Sequence, residues 1–196
     1  MSPATLPVKM VTVAHVFVSG NLALDLVGTL KWRTTAPEEL LAVPEDLDAW
    51  CTQAGVTTEP VRATEGDLAD ARRLREALHS LARARLDGRE ADAGAVDVVN
   101  AAAAREPVRP RLTPHGAVRT GSAPAALSTT ARAAVDLFAA PEAPLLKECG
   151  RYECTRIYVD RSRGARRTWC GMDECGSRVK MAAYRARRRQ TGLAGR

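Results

Sequence analysis

The sequence is poor in aromatic residues and contains no long apolar run. Aromatics make up only 4% of the 196 residues, so a core must be built mainly from Leu, Val and Ala. No segment reaches the roughly 18 consecutive apolar residues of a membrane span. The apolar run at 8–18 is interrupted by Lys9 and His15 and lacks a convincing cleavage site, which argues against a signal peptide. We therefore expect a cytoplasmic protein, in which thiols stay reduced.

Sequence features of common catalytic sites are also missing. There is no Gly-rich phosphate loop and no nucleophile elbow. The histidines His15, His79 and His115 are too scattered to form a metal set or a triad. We therefore do not expect an enzyme.

Charge is distributed unevenly along the chain. Residues 147–196 hold 14 basic and 5 acidic residues, a local charge of +9, while the 15 basic and 18 acidic residues before them give −3. A mildly acidic body with a strongly basic end is typical of a protein whose end meets a polyanion. A solvated basic tail is the alternative that charge alone leaves open.

Apolar spacing and turn residues predict an α+β fold whose N-terminal part is mainly helical with short β-hairpins. A β-prone run covers 14–18, and a hairpin with a four-residue connection is expected at 109–119. The predicted helices cover 22–27, 45–51, 65–86, 92–104 and a segment that begins at Pro124. In the last helix, Val135 and Phe138 are expected to point inward. The stretch 140–144 is the expected domain boundary.

The predicted helix at 65–86 has the clearest pattern. Thr64 and Asp67 resemble a capping box at its start. Its apolar residues fall on one stripe, namely Leu68, Ala71, Leu74, Leu78 and Leu81. Its arginines lie mostly off that stripe, so we expect a solvated face formed by Arg72, Arg73, Arg75, Arg83 and Arg85.

Four of the five cysteines form two C-x4-C pairs, Cys149 with Cys154 and Cys170 with Cys175, separated by fifteen residues. Such pairs supply thiolate ligands for tetrahedral zinc, and four thiolates leave no open position for water. The pattern therefore predicts a structural zinc ion. Two disulfides are one alternative, which the cytoplasmic setting disfavours. Four unrelated buried thiols are the other, which the clustering of the cysteines disfavours. Two strands, 157–159 and 167–169, are expected to pair across the loop between them.

A basic helix is predicted directly after Cys175. Alanines keep it narrow, which suits entry into a DNA major groove. Arginines in the loop between the cysteine pairs are expected to grip phosphates beside it. The predicted DNA-contacting residues are Arg161, Arg163, Arg166, Arg167, Ser177, Arg178, Lys180, Arg185, Arg187, Arg188 and Arg189.

The C-terminal motifs resemble the CGNR zinc-finger family of bacterial regulators. The resemblance is carried by the two cysteine pairs, Tyr158-Val159-Asp160, Ser162-Arg163, Trp169-Cys170-Gly171 and Cys175-Gly176-Ser177-Arg178. Ser177 departs from the family's Asn, although it keeps a short polar side chain able to cap the helix. The resemblance implies a treble-clef or ribbon-like zinc module with four cysteine ligands that ends in the basic helix.

The preceding part resembles the ABATE domain that comes before this finger in the family. The carrying segments are 20–29, 47–50 and 74–78, with Gly28 where the family often has Asn. The resemblance implies a sensing or dimerising domain over 1–143 and a DNA-binding zinc module over 144–196. Asp25, Trp32 and Arg33 could line a ligand pocket, although a local structural role for Asp25 is the favoured interpretation.

We therefore expect a zinc-containing regulator that binds double-stranded DNA. A small-molecule effector and a homodimer are further expectations for this class of protein. The alternative is a zinc module that binds RNA or another protein, which the scarcity of stacking aromatics in the basic helix disfavours.

Overall fold

The computed structural model describes residues 13–140, 145–182, 184 and 185. Its mixture of helices and short hairpins confirms the predicted α+β class. The helices of the first part are α1 (Leu22–Val27), α2 (Pro44–Gln53), α3 (Glu65–Leu86), α4 (Ala93–Ala103) and α5 (Ala123–Ala139). Within the described residues, none of the helices combines the length and apolar character needed to cross a bilayer. The expected boundary at 140–144 lies mostly outside the described residues.

In the part of the chain that the structure describes, three two-stranded antiparallel sheets accompany these helices. Their strands are β1 (Leu30–Lys31) with β2 (Glu38–Glu39), β3 (Arg109–Thr113) with β4 (Gly116–Thr120), and β5 (Leu146–Glu148) with β6 (Ile157–Val159). The β3–β4 hairpin closes on Thr113 opposite Gly116, so its connection has two residues rather than the predicted four. The β-prone run at 14–18 forms no strand.

Local capping residues start the helices where the sequence predicts. The Asn21 side chain accepts a hydrogen bond from the Ala23 amide at the start of α1. Thr64 and Asp67 form the predicted capping box at the start of α3. Because these contacts satisfy amides that have no partner within the helix, they fix the first turn of each helix.

The main core is built around α3, which packs against α1, α2, α4 and α5. The predicted apolar stripe of α3 is buried, and Trp50 of α2 is fully buried beside it. Alanines at 126, 131 and 134 let α5 lie close to its neighbours. In α5, Leu137 is buried whereas Val135 is 40% exposed, so the inward position predicted for Val135 is wrong.

Arg75 is the clearest departure from the predicted solvated face of α3. Its side chain is 4% exposed, and its two terminal nitrogens donate to both carboxylate oxygens of Glu39 at 2.6 and 2.7 Å. It also contacts Glu76 and Thr29. Although burial alone would raise the pKa of Glu39, the hydrogen bonds from Arg75 hold it below its ordinary value. Arg75 therefore ties the β1–β2 hairpin to α3.

We predict that Arg75→Met lowers the free energy of unfolding by about 3 kcal/mol, because it removes both guanidinium hydrogen bonds to the partly buried Glu39 carboxylate. Since the pKa of Glu39 is lowered by folding, the contribution of this pair is fully present above the unfolded carboxylate's pKa of about 4.3. That contribution is lost as the pH falls through the lower folded value. Urea unfolding of the variant and the parent chain at several pH values measures both effects.

Arg73→Gln is the matched control, because Arg73 lies on the same helix with 65% of its side chain exposed. It should change stability by no more than about 0.5 kcal/mol. Equal effects of the two substitutions would contradict a special role for Arg75.

Candidate metal centre and nucleic-acid interface

Four cysteine side chains converge after the helical part of the chain. Cys149 follows β5, and Cys154 closes a turn in which its amide donates to the Arg151 carbonyl at 2.8 Å. Cys170 precedes Gly171, and Cys175 lies in the π-helical turn Met172–Gly176. The four sulfur atoms lie within 4.8 Å of one another, and three of the residues are buried.

This arrangement fits a zinc ion. Zn–S bonds of about 2.3 Å place the sulfurs of a tetrahedral site roughly 3.8 Å apart, and the Cys154 and Cys170 sulfurs are 3.9 Å apart. The same separation is far too long for a disulfide bond. Four thiolates would complete the coordination of zinc, so the ion's chemistry here is structural. The cysteines are thus positioned to bind one zinc ion, as predicted.

Ionisation of these thiols is coupled. Hydrogen bonds from Cys154 and Cys170 lower the pKa of Cys149. The neighbouring Cys149 in turn raises the pKa of Cys154 to about 12 and also raises that of Cys170. Because like charges this close repel, four thiolates coexist only when a cation neutralises them, which is what divalent zinc supplies.

Close backbone packing explains two glycines of the module. A Cβ atom at Gly150 would lie 2.9 Å from the Thr168 side chain, and one at Gly176 would lie 2.6 Å from the Met172 sulfur and 2.9 Å from the Trp169 ring. Gly176 therefore lets the turn that carries Cys175 lie against Trp169, which packs on the cysteine cluster.

The strand pairing within the module differs from the prediction. Ile157–Val159 pairs with Leu146–Glu148, whereas 167–169 form no strand. The apolar side of this sheet packs on the helical part of the chain in one buried cluster, formed by Leu24, Ala82, Leu137, Leu146, Ile157 and Val159. The alternation of apolar residues could not reveal the strand partner, because periodicity indicates which face of a strand is buried and not which strand lies beside it.

Three arginines of the module donate to main-chain carbonyls of residues 16–20. Arg156 donates to Val16 at 2.9 Å, Arg167 to Val18 at 2.8 Å, and Arg161 to Gly20 at 2.6 Å. The Arg167 guanidinium also lies 4.3 Å from the centre of the Tyr158 ring. Arg161 and Arg167, predicted to contact phosphates, are therefore engaged with the protein itself, and sequence reasoning missed Arg156 altogether.

Asp160 organises the loop that carries the other predicted phosphate contacts. Its buried carboxylate accepts from Lys147 at 2.7 Å, from the Ser162 amide at 3.0 Å and from the Arg167 amide at 2.9 Å. Burial alone would raise the pKa of Asp160, but these hydrogen bonds hold that pKa well below its ordinary value. The loop thereby presents Arg163 and Arg166 to solvent.

The basic helix, here α6, covers 177–182 and includes 184 and 185. Arg178, Lys180 and Arg185 are exposed on it. Ser177 is exposed within continuous helical turns that already begin at Met172, so the expected capping role of Ser177 is wrong. The predicted contacts Arg187, Arg188 and Arg189 lie outside the described residues.

The residues predicted for a ligand pocket do not converge. Asp25 is buried and accepts from the Ser19 amide at 3.0 Å. Burial raises the pKa of Asp25, against the opposing effects of Ser19 and Arg156. Arg33 forms two hydrogen bonds with Glu76, at 2.6 and 3.2 Å. Trp32 lines a cavity whose described lining includes neither Asp25 nor Arg33.

Comparisons with known families divide the chain in the same order as its motifs. A family model named ABATE, described as "Putative stress-induced transcription regulator", matches residues 20–141. A second model, the CGNR zinc finger, matches residues 146–188. No curated protein sequence matches the chain.

We predict about one bound zinc per chain, lost in the variant Cys154→Ala. Removing one of four ligands should also destabilise the module by several kcal/mol, because metal binding and folding are coupled. Native mass spectrometry and thermal unfolding measure the two effects. Cys51→Ala is the control, since Cys51 is fully buried in the core away from the cluster. Unchanged zinc content in Cys154→Ala would contradict the four-ligand site.

We also predict that Arg167→Gln lowers the free energy of unfolding by about 2 kcal/mol, because it removes charge-assisted hydrogen bonds and the stacking on Tyr158. Arg163→Gln, an exposed neighbour in the same loop, should leave stability within about 0.5 kcal/mol. Chemical unfolding of both variants checks this. If Arg163→Gln were destabilised and the stability of Arg167→Gln were unchanged, the structural role given to Arg167 would be contradicted.

Proposed function

The chain belongs to the ABATE family and carries a CGNR zinc finger, and from this premise we propose that it is a transcription regulator that binds double-stranded DNA. The zinc ion has a structural role, and no catalytic role is proposed. The observation that carries the proposal is the set of exposed cations on a helix that continues directly from the turn holding Cys175. A structural zinc ion would fix that helix relative to the rest of the chain.

The proposed DNA surface has two parts. On α6, Arg178 and Arg185 are seven residues apart and share one helical face with the small Ala182 between them, which permits close approach to base edges. In the loop, the exposed Arg163 and Arg166 are proposed to contact phosphates. Lys180 and the arginines at 187–189 add further positive charge to this part of the sequence. Ser177, Arg161 and Arg167 are proposed to contribute less to DNA binding.

We propose different roles for the two parts of the chain. Residues 1–143 receive a small-molecule signal or form a homodimer, and residues 144–196 contact DNA in the cytoplasm. Dimerisation would enlarge the DNA contact area, which a single small module limits. Support for communication between the parts comes from the shared apolar cluster and from the arginine contacts to residues 16–20.

A second candidate function, single-stranded RNA binding, is favoured by one observation. Tyr152, next to the zinc ligands, is 93% exposed and could stack on a base. The same binding experiment separates the two candidates when RNA of matched length is included.

The test measures binding of the zinc-loaded chain to DNA from upstream of its own gene, with random DNA as competitor. We predict that the double variant Arg178→Gln, Arg185→Gln binds at least about tenfold more weakly. The preference for this DNA over the random competitor should fall as well, because the proposed contacts of Arg178 and Arg185 are to base edges. Fluorescence anisotropy at several salt concentrations gives both values.

The matched control is Arg73→Gln with Arg89→Gln, two exposed arginines of the helical part with 65% and 63% side-chain exposure. It removes the same charge and should leave affinity within about twofold. If both double variants weakened DNA affinity equally, the interaction would be general charge attraction. Tighter binding to RNA than to DNA would favour the second candidate function.

A further inference from the structure

A cavity of about 140 Å³ lies where the helical part meets the zinc module. The helical part contributes the segment from Gly28 to Trp32 at one side. The zinc module contributes Arg151, Arg156 and residues of the turn that carries Cys175. Any occupant of this cavity would therefore contact both parts of the chain at once, directly beside the metal centre.

Positive side chains dominate the lining. Lys31, Arg151, Arg156 and Arg178 line the cavity together with one carboxylate, Glu174. Four cations against one carboxylate leave an excess of positive charge along the lining, which a zinc–tetrathiolate centre would offset in part. Such an excess in a partly enclosed space attracts anions, because the field is less screened there than at an open surface.

The cations differ in how far they are already neutralised. Arg151 pairs with Glu153, and the Lys31 nitrogen is 3.9 Å from a carboxylate oxygen of Glu38. Arg156 is 7% exposed and donates to the Val16 carbonyl. Among the described residues, neither Arg156 nor Arg178 forms an ion pair within 4.0 Å. A buried guanidinium without a paired carboxylate is the group that an incoming anion would complete.

Backbone strain marks the same place. Trp32 has a φ of +49°, in the left-handed region that a bulky residue rarely adopts. The Lys31 nitrogen lies 5.7 Å from the centre of the Trp32 ring. Strained residues of this kind concentrate at ligand sites, where the surrounding structure holds them in place.

We propose that this junction cavity binds a phosphate group, held by Arg156 and Arg178 with Lys31 at its edge. Guanidinium groups match phosphate oxygens in geometry and charge. The volume is well below the roughly 300 Å³ at which sites for drug-sized ligands begin, so a phosphate group enters and a whole nucleotide does not. The group belongs either to a small phosphorylated molecule or to the DNA backbone, and only this second source rests on the proposed function.

The experiment titrates inorganic phosphate into the zinc-loaded full chain by calorimetry, with ionic strength held constant by chloride. Saturable binding is expected, weakened about tenfold by Lys31→Gln and by Arg178→Gln, since each removes a charge-assisted contact. Arg89→Gln, an exposed arginine of the helical part that does not line the cavity, should bind phosphate as the parent chain does. Zinc content and circular dichroism establish that each variant is folded.

Absence of saturable binding, or equal phosphate affinity in all the variants, overturns the proposal. A second arm measures DNA affinity of Lys31→Gln with and without phosphate. Competition between phosphate and DNA, with weakened DNA binding by the variant, assigns the site to a backbone phosphate. If phosphate still binds when DNA is bound, and the variant has unchanged DNA affinity, the cavity is assigned to a small phosphorylated molecule. A chain that binds phosphate but no DNA would refute the proposed function and leave the cavity assignment standing.

Discussion

The structure depends on one requirement: main-chain carbonyl groups outside helices and sheets still need hydrogen-bond donors. Residues 16–20 belong to no helix or sheet. Three of their carbonyls accept from Arg156, Arg167 and Arg161, and a fourth, that of Ser19, accepts from the Val159 amide at 2.8 Å. The zinc module thus completes the hydrogen bonding of a segment about 140 residues earlier in the chain. These hydrogen bonds join the two parts alongside the shared apolar cluster and the Arg83–Glu148 ion pair.

This requirement also separates the arginines by role. In a basic sequence, every arginine is a candidate for contacting phosphate. In the folded chain, some of them instead contact carbonyls, aromatic rings or carboxylates of the protein. Arg75 and Arg167 have such partners, while Arg163 and Arg166 in the same module as Arg167 are exposed. Charge density along the sequence therefore overstates the number of solvent-exposed cations, and only the tertiary contacts show which arginines already have partners within the protein.

Local patterns predicted much of this molecule. Helix starts at Asn21 and Thr64, the buried stripe of α3 and the four zinc ligands depend on residues close in sequence, and the structure contains each of them. Several of the errors concern which residues contact each other. The pairing of β6 with β5 and the burial of Arg75 depend on partners that periodicity does not specify. The junction cavity was missed for the same reason, since its lining comes from segments more than 100 residues apart.

The scarcity of aromatic residues has a spectroscopic consequence. The three tryptophans occupy three different environments: Trp50 is sealed in the helical core, Trp169 packs on the cysteine cluster, and Trp32 lines the cavity between the two parts. Each indole therefore reports on a separate region through its intrinsic fluorescence. Chains that retain one tryptophan at a time, with the others replaced by phenylalanine, would resolve the loosening of the core, the metal site and the junction without any attached dye.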